Sequence, residues 1–198
     1  PVISPLRLVS EFALGSDYQL GKSWAVSVQF IHRALQNAIE DFTVTPITVN
    51  GQRYTTLIGN PGRGILKQPF AGQPVLPEFG RTYNGLTIEI VRRMANHWTM
   101  NSSYTFSRLY GNYEGLGDSD EQVLGGGTPN AGRYCTTLES CYNGSGEVDE
   151  GPLTLDRPHQ FKFNGSYAFD FGFTAGAFFR ASSGTPISPQ LGVNAAPT

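Results

Sequence analysis

Three histidines, an Asp-Arg-Pro-His run, an acidic stretch and two cysteines are the residues of this sequence with the most chemistry to offer. His32, His97 and His159 lie far apart, and none has the spacing of a metal motif such as HExxH. A strand-end or interfacial place suits each of them better. Asp156, Arg157 and His159 could form an acid–base cluster. Pro158, however, holds its predecessor extended and leads into a strand, so polar contacts at a loop end account for the charges. A nucleophile elbow would need Gly two positions before Ser145, where the chain has Asn143. The run Gly125 to Gly127 lacks a following Gly-Lys-Ser/Thr and reads as loop rather than phosphate cradle. GLGDSDEQ (Gly115 to Gln122) offers Asp118, Asp120 and Glu121 as oxygen donors of the kind calcium accepts. It lacks the twelve-residue EF-hand pattern, and solvated loop charge is the simpler reading. No residue is nominated as catalytic, cofactor-binding or metal-ligating, and the chain reads as a non-enzyme.

If the side chains do no covalent chemistry, the surfaces must carry the function. The 198 residues include 24 Gly and 13 Pro, and aromatics make up 12%. Charged residues are only 15%, against roughly 25% in an ordinary soluble domain. Something other than a charged, hydrated surface therefore covers the protein. The net charge of −2 and the scattered Lys and Arg leave no basic footprint, which excludes nucleic acid as a partner. No run of about 18 apolar residues is present, which excludes a transmembrane helix but not a barrel strand, whose pattern is about 10 alternating residues.

That alternation recurs along the chain. Trp24, Val26, Val28 and Phe30 alternate with Ala25, Ser27 and Gln29; Leu86, Ile88 and Ile90 alternate with Thr87 and Glu89. In WTMNSSYTFS, Trp98, Met100, Tyr104 and Phe106 share one parity, and Thr99, Asn101, Ser103, Thr105 and Ser107 fill the other. Phe161, Phe163, Tyr167 and Phe169 interleave with Gln160, Lys162, Asn164 and Ser166. Phe171, Phe173, Ala175, Ala177 and Phe179 face away from Gly172, Thr174, Gly176 and Arg180, and Leu6 to Leu20 gives a looser version. Period two, not helical spacing, fits them all.

The connections alternate as well. Tight turns are expected near Gly21 and Lys22, over Met94 to His97 and over Asp170 to Gly172. Long Gly-, Pro-, Asn- and Asp-rich connections run from about Asn37 to Arg81 and from about Gly111 to Asp156. All long connections then lie at one end of the sheet. The expected fold is an all-β, antiparallel up-and-down meander of about six strands forming part of a transmembrane β-barrel, with short turns at one end and long loops at the other. The alternative is a secreted antiparallel β-sandwich acting as a binding module without catalysis. Against it stand the uncharged polar faces, Trp24 and Trp98 beside short turns where an interfacial girdle would place them, and the unusual length of the loops.

YNGLTIEIVRR (Tyr83 to Arg93), NSSYTFSRLYGNYEGL (Asn101 to Leu116), DRPHQFKFNGSY (Asp156 to Tyr167) and SGTPIS (Ser183 to Ser188) resemble the barrel region of TonB-dependent outer-membrane receptors. The likeness is to the large receptors with an N-terminal carboxypeptidase-regulatory-like domain, and it extends in order from about Glu11 to Ser188. It implies a bacterial outer-membrane location and a parent barrel of roughly 22 strands with a plug. In that parent, a TonB energy-coupling system would drive uptake of a large or scarce extracellular ligand. Residues 1–198 are expected to be a partial barrel, since plug and energy-coupling segments are not recognisable in them.

A barrel divides the alternating residues into two sets. Lipid-facing positions are expected at Trp24, Val26, Val28, Phe30, Leu86, Ile88, Ile90, Trp98, Met100, Tyr104, Phe106, Phe161, Phe163, Tyr167, Phe173 and Phe179. Lumen-facing positions are expected at Ser27, Gln29, Thr87, Glu89, Asn101, Ser103, Thr105, Lys162, Asn164, Ser166 and Arg180. Cys135 and Cys141 fall in the second long loop, where five intervening residues let the chain fold back and the cell exterior is oxidising; a disulfide is predicted. Alkylation without reductant should leave the intact mass unchanged, and the addition of two alkyl groups would end the idea.

Overall fold

A computed structural model of the chain describes residues 8–49, 51–64, 67, 75, 77–113 and 150–186. Six long strands form one antiparallel sheet: β1 (Leu8–Leu20), β2 (Trp24–Gln36), β5 (Arg81–Ala95), β6 (Trp98–Gly111), β8 (His159–Ala168) and β9 (Thr174–Ser182). Their spatial order is β1-β2-β5-β6-β8-β9, so the long strands pair with their neighbours in sequence order, as expected for a meander. Among the described residues the sheet is not closed on itself, and β1 and β9 are its edges.

Each tight turn has a local cause. Gly21, at φ 63°, opens the link between β1 and β2. Asn96 and His97, at φ 50° and 72°, form the two-residue link from β5 to β6. Two successive left-handed residues are what a type I′ hairpin requires, and Asn tolerates that region better than most residues. One extra residue just before it, in the register shift between Arg92 and Ala95, makes a β-bulge. The β8–β9 link is longer than the alternation suggests. The Phe169 N–H donates to the Phe173 carbonyl at 2.7 Å, with Gly172 at φ 87°, so β9 starts at Thr174 and Phe171 and Phe173 belong to the turn.

The long connections contain structure of their own. The first holds a separate hairpin, β3 (Glu40–Val49) with β4 (Gln52–Gly59). The second ends in β7 (Gly151–Pro152), which pairs with the last residues of β6. Among the described residues the buried apolar side chains gather at this end of the sheet: Leu35, Ala38, Phe79, Tyr113 and Leu153.

Polar bonds tie the two connections together there. The Asn112 side chain accepts from the Gly80 N–H at 2.9 Å and donates to the Glu78 carbonyl at 3.0 Å, while Tyr113 Oη donates to the Ile39 carbonyl. Asn60 Nδ2 donates to the carbonyls of Asn37 and Ala38, both at 2.9 Å. Backbones approach closely at Gly111, where a Cβ would collide with the Gly80 carbonyl oxygen. Asn112→Ala should therefore leave the Gly80 N–H without its acceptor, a loss of about 1–3 kcal/mol. Hydrogen exchange on the full-length protein should show faster exchange around Gly80 and unchanged protection in the centre of β5 and β6.

Candidate functional site

Register decides which residues share a face, because directly opposed residues in a sheet point the same way. Leu14, Phe30, Leu86 and Phe106 form one cross-strand row. Val28, Ile88, Tyr104 and Phe161 form the next, and Val26, Ile90, Phe163 and Phe179 lie in the one after, with Ser102 between Ile90 and Phe163. The apolar sets read strand by strand thus merge into one face across β2 to β9. Apart from His159 at the end of the first row, these rows carry no ionisable group other than tyrosine. Their side chains are open: Tyr18 is 67% exposed and Phe30 37%.

The opposite face has a different character. Ser27, Glu89, Ser103, Lys162 and Arg180 share one row, and Gln29, Thr87, Thr105 and Gln160 the next. Thr87 and Thr105 are hydrogen-bonded through their hydroxyls at 2.9 Å, and Asn101 Nδ2 donates to Glu89 Oε1 at 2.6 Å. Asn101 and Asn164 are directly paired, as are Thr99 and Ser166. Phe178 interrupts this polar face from the edge strand. Lys162 and Arg180 stand directly opposite each other, a like-charge pair.

Polar groups mark both borders of the apolar face. At the long-loop border, His32 Nδ1 and Asn84 Oδ1 are 2.8 Å apart, Arg108 continues their row, and His159 Nδ1 meets Tyr104 Oη at 2.7 Å. At the short-turn border the Arg92 guanidinium carbon lies 3.9 Å from the Trp98 ring centroid and 5.1 Å from that of Trp24. The two indoles meet edge to face at 5.8 Å. Arg92 Nη2 donates to the Ala95 carbonyl at 2.9 Å, and the residue is buried. Tyr167, Phe169, Phe171 and Phe173 continue this aromatic border around the last turn. Trp24 and His32 bracket the band; eight residues at about 3.3 Å each, tilted by about 40°, give a height of roughly 20 Å, close to the apolar band of an outer-membrane barrel.

The Asp-Arg-Pro-His run is a splice between strands. Pairing of β6 with β8 ends at Phe106 and His159, and pairing with β7 begins at Tyr110. Across the gap, the Ser107 N–H donates to the Pro158 carbonyl at 2.9 Å and the Leu109 N–H to Asp156 Oδ1 at 2.8 Å. Asp156 is fully buried, with Arg108 Nη1 3.4 Å from its other oxygen. Arg157 Nη1 donates to the Ser183 carbonyl. Loop-end polar contacts thus describe these residues. Arg92 and the loop-base cluster were not singled out by sequence; the Trp24 and Trp98 pattern pointed to the border but not to its cation. Cys135, Cys141, Ser145 and the acidic stretch at Asp118, Asp120 and Glu121 lie outside the described residues.

A family model described as outer membrane beta barrel domain matches residues 5–197. The chain belongs to that family. It is also 31% identical over 182 residues to the TonB-dependent transporter Oar of Myxococcus xanthus, a match covering 90% of this chain and 15% of the relative. Both findings agree with the TonB-dependent receptor barrel that the sequence motifs resemble, and they place the protein in the bacterial outer membrane. No solved structure matches the chain.

The splice makes a direct prediction. Asp156→Ala should cost about 1–3 kcal/mol by stranding the Leu109 N–H, whereas Asp156→Asn keeps an acceptor and should cost less. Denaturant titration of the refolded full-length protein would measure both, and equal losses would show that the charge, not the acceptor, matters.

Proposed function

We propose that this chain is a segment of the wall of an active outer-membrane transporter, with its apolar face on lipid and its polar face on the lumen. The observation that carries the reading is the pair of faces itself. One is an open apolar band without Lys, Arg, Asp or Glu in its middle rows, bordered by Arg92 with Trp24 and Trp98 at one end and by His32, Asn84 and Arg108 at the other. The other is lined by hydroxyls, amides and a few charges, which suits water rather than hydrocarbon. Among the described residues no second sheet packs on the long strands, as a sandwich would require. The short turns lie on the periplasmic side in this reading, and the two long connections lie outside the cell, where they contact the ligand. Residues 1–198 form part of a barrel whose parent carries a plug and draws on the TonB system to admit a large or scarce ligand.

The test uses neighbouring residues on opposite faces. In the full-length receptor, Phe163→Arg should cost about 2–4 kcal/mol as a charge placed toward the bilayer midplane, while Asn164→Arg should be tolerated in the lumen. Phe161→Leu with Phe163→Leu should change stability little against fluid lipid, whereas a close-packed core would lose several kcal/mol through altered shape. Folding into liposomes with heat-modifiable gel migration and denaturant titration reads all three variants. Equal failure of the two arginine variants, or a large loss in the double leucine variant, would overturn the assignment.

A further inference from the structure

The apolar face is not uniform. Near the short turns, Gly165, Ala175 and Ala177 replace bulky side chains and form the floor of an open groove of about 530 Å³. Trp98 and Met100 wall it on one side, and Phe163 and Tyr167 bound it along the strand. The floor is rigid because it is paired backbone: Gly165 opposes Met100 on β6 and Ala177 on β9. The Trp98 wall is held by the Arg92 guanidinium, 3.9 Å from its ring centroid, and by an edge-to-face contact with Trp24. The groove is thus formed before anything enters it, which lowers the ordering cost of an occupant.

We infer that this groove is a seat for an acyl chain of a phospholipid in the periplasmic leaflet, an inference that rests on the lipid-facing reading of this face. Three features select that occupant. The groove is continuous with the apolar band of a protein that sits in the outer membrane. At Gly165 its floor is strand backbone laddered to β6 on one side and β9 on the other, and Ala175 and Ala177 present only methyl groups, so it offers little to a ligand that must hydrogen-bond, whereas a hydrocarbon chain asks for none. Its end lies beside the aromatic and cationic border at Trp98, Tyr167 and Arg92, the level at which a lipid changes from chain to headgroup.

Full-length receptor in vesicles of phosphatidylethanolamine doped with the same lipid carrying a diazirine on its acyl chain would be irradiated and digested, and the labelled peptides mapped. Label should concentrate several-fold on the segments containing Met100, Gly165 and Ala177 relative to the rest of the apolar face. Ala177→Leu fills the floor from a side chain already pointing outward and should reduce that label to the level of the surrounding face. Ala181→Leu, on the same face of the same strand but outside the groove, should leave it unchanged. Even labelling of the whole apolar face, or no effect of Ala177→Leu, would overturn the groove while leaving the lipid-facing reading intact. Absence of label from this face altogether would overturn both.

Discussion

The cross-strand ladder of backbone hydrogen bonds is the constraint on which the rest of the molecule depends. Hydrocarbon offers no partner to an N–H or a carbonyl, so strands in a membrane are viable only when each is paired with its neighbours. Continuous pairing from β1 to β9 fixes register, and register fixes which side chains share a face. A slip by one residue would exchange the two faces along a whole strand. The apolar band and the polar row of Ser27, Glu89, Ser103, Lys162 and Arg180 are therefore two consequences of one arrangement.

The same constraint explains the residues that looked most like chemistry. Where β6 outruns β8, two N–H groups need acceptors, and the Asp156 carboxylate and the Pro158 carbonyl provide them. A buried carboxylate beside an arginine invites a catalytic reading, but its hydrogen bonds describe a repair of the ladder. Arg92 is a comparable case. Its charge lies at the edge of the apolar face, covered by two indoles and directed to the Ala95 carbonyl, so the band ends without an exposed charge intruding on it.

The long strands and tight turns were legible in the sequence because both are local: period two shows within ten residues, and a turn within four. Trp24 to Phe30 and Trp98 to Phe106 announce their strands without help from the rest of the chain. The β3–β4 hairpin also left a local mark, the Asn50-Gly51 dipeptide between apolar alternations, which the length of the connection obscured. The start of β9 at Thr174 was hidden because Phe171 and Phe173 keep the strand's parity while lying in its turn. Arg92 between two indoles could not be read, since Trp24 and Trp98 meet it only through register, across 68 and 6 positions of sequence. The loop base joining Asn37, Ala38, Phe79 and Tyr113 is likewise a long-range product.

That loop base has a mechanical consequence. Asn60 returns the first connection to its own origin at Asn37 and Ala38, and Asn112 fastens the start of the second to the end of the first. The entry and exit of the excursion are thus clasped independently of what lies between them. The ends of β2, β5 and β6 are fastened to one another by these bonds and by the Ala38 N–H donating to the Phe79 carbonyl, at the foot of the connections. The clasps act as a hem along the sheet, keeping the ladder from fraying at the level where its strand-to-strand backbone pairing stops.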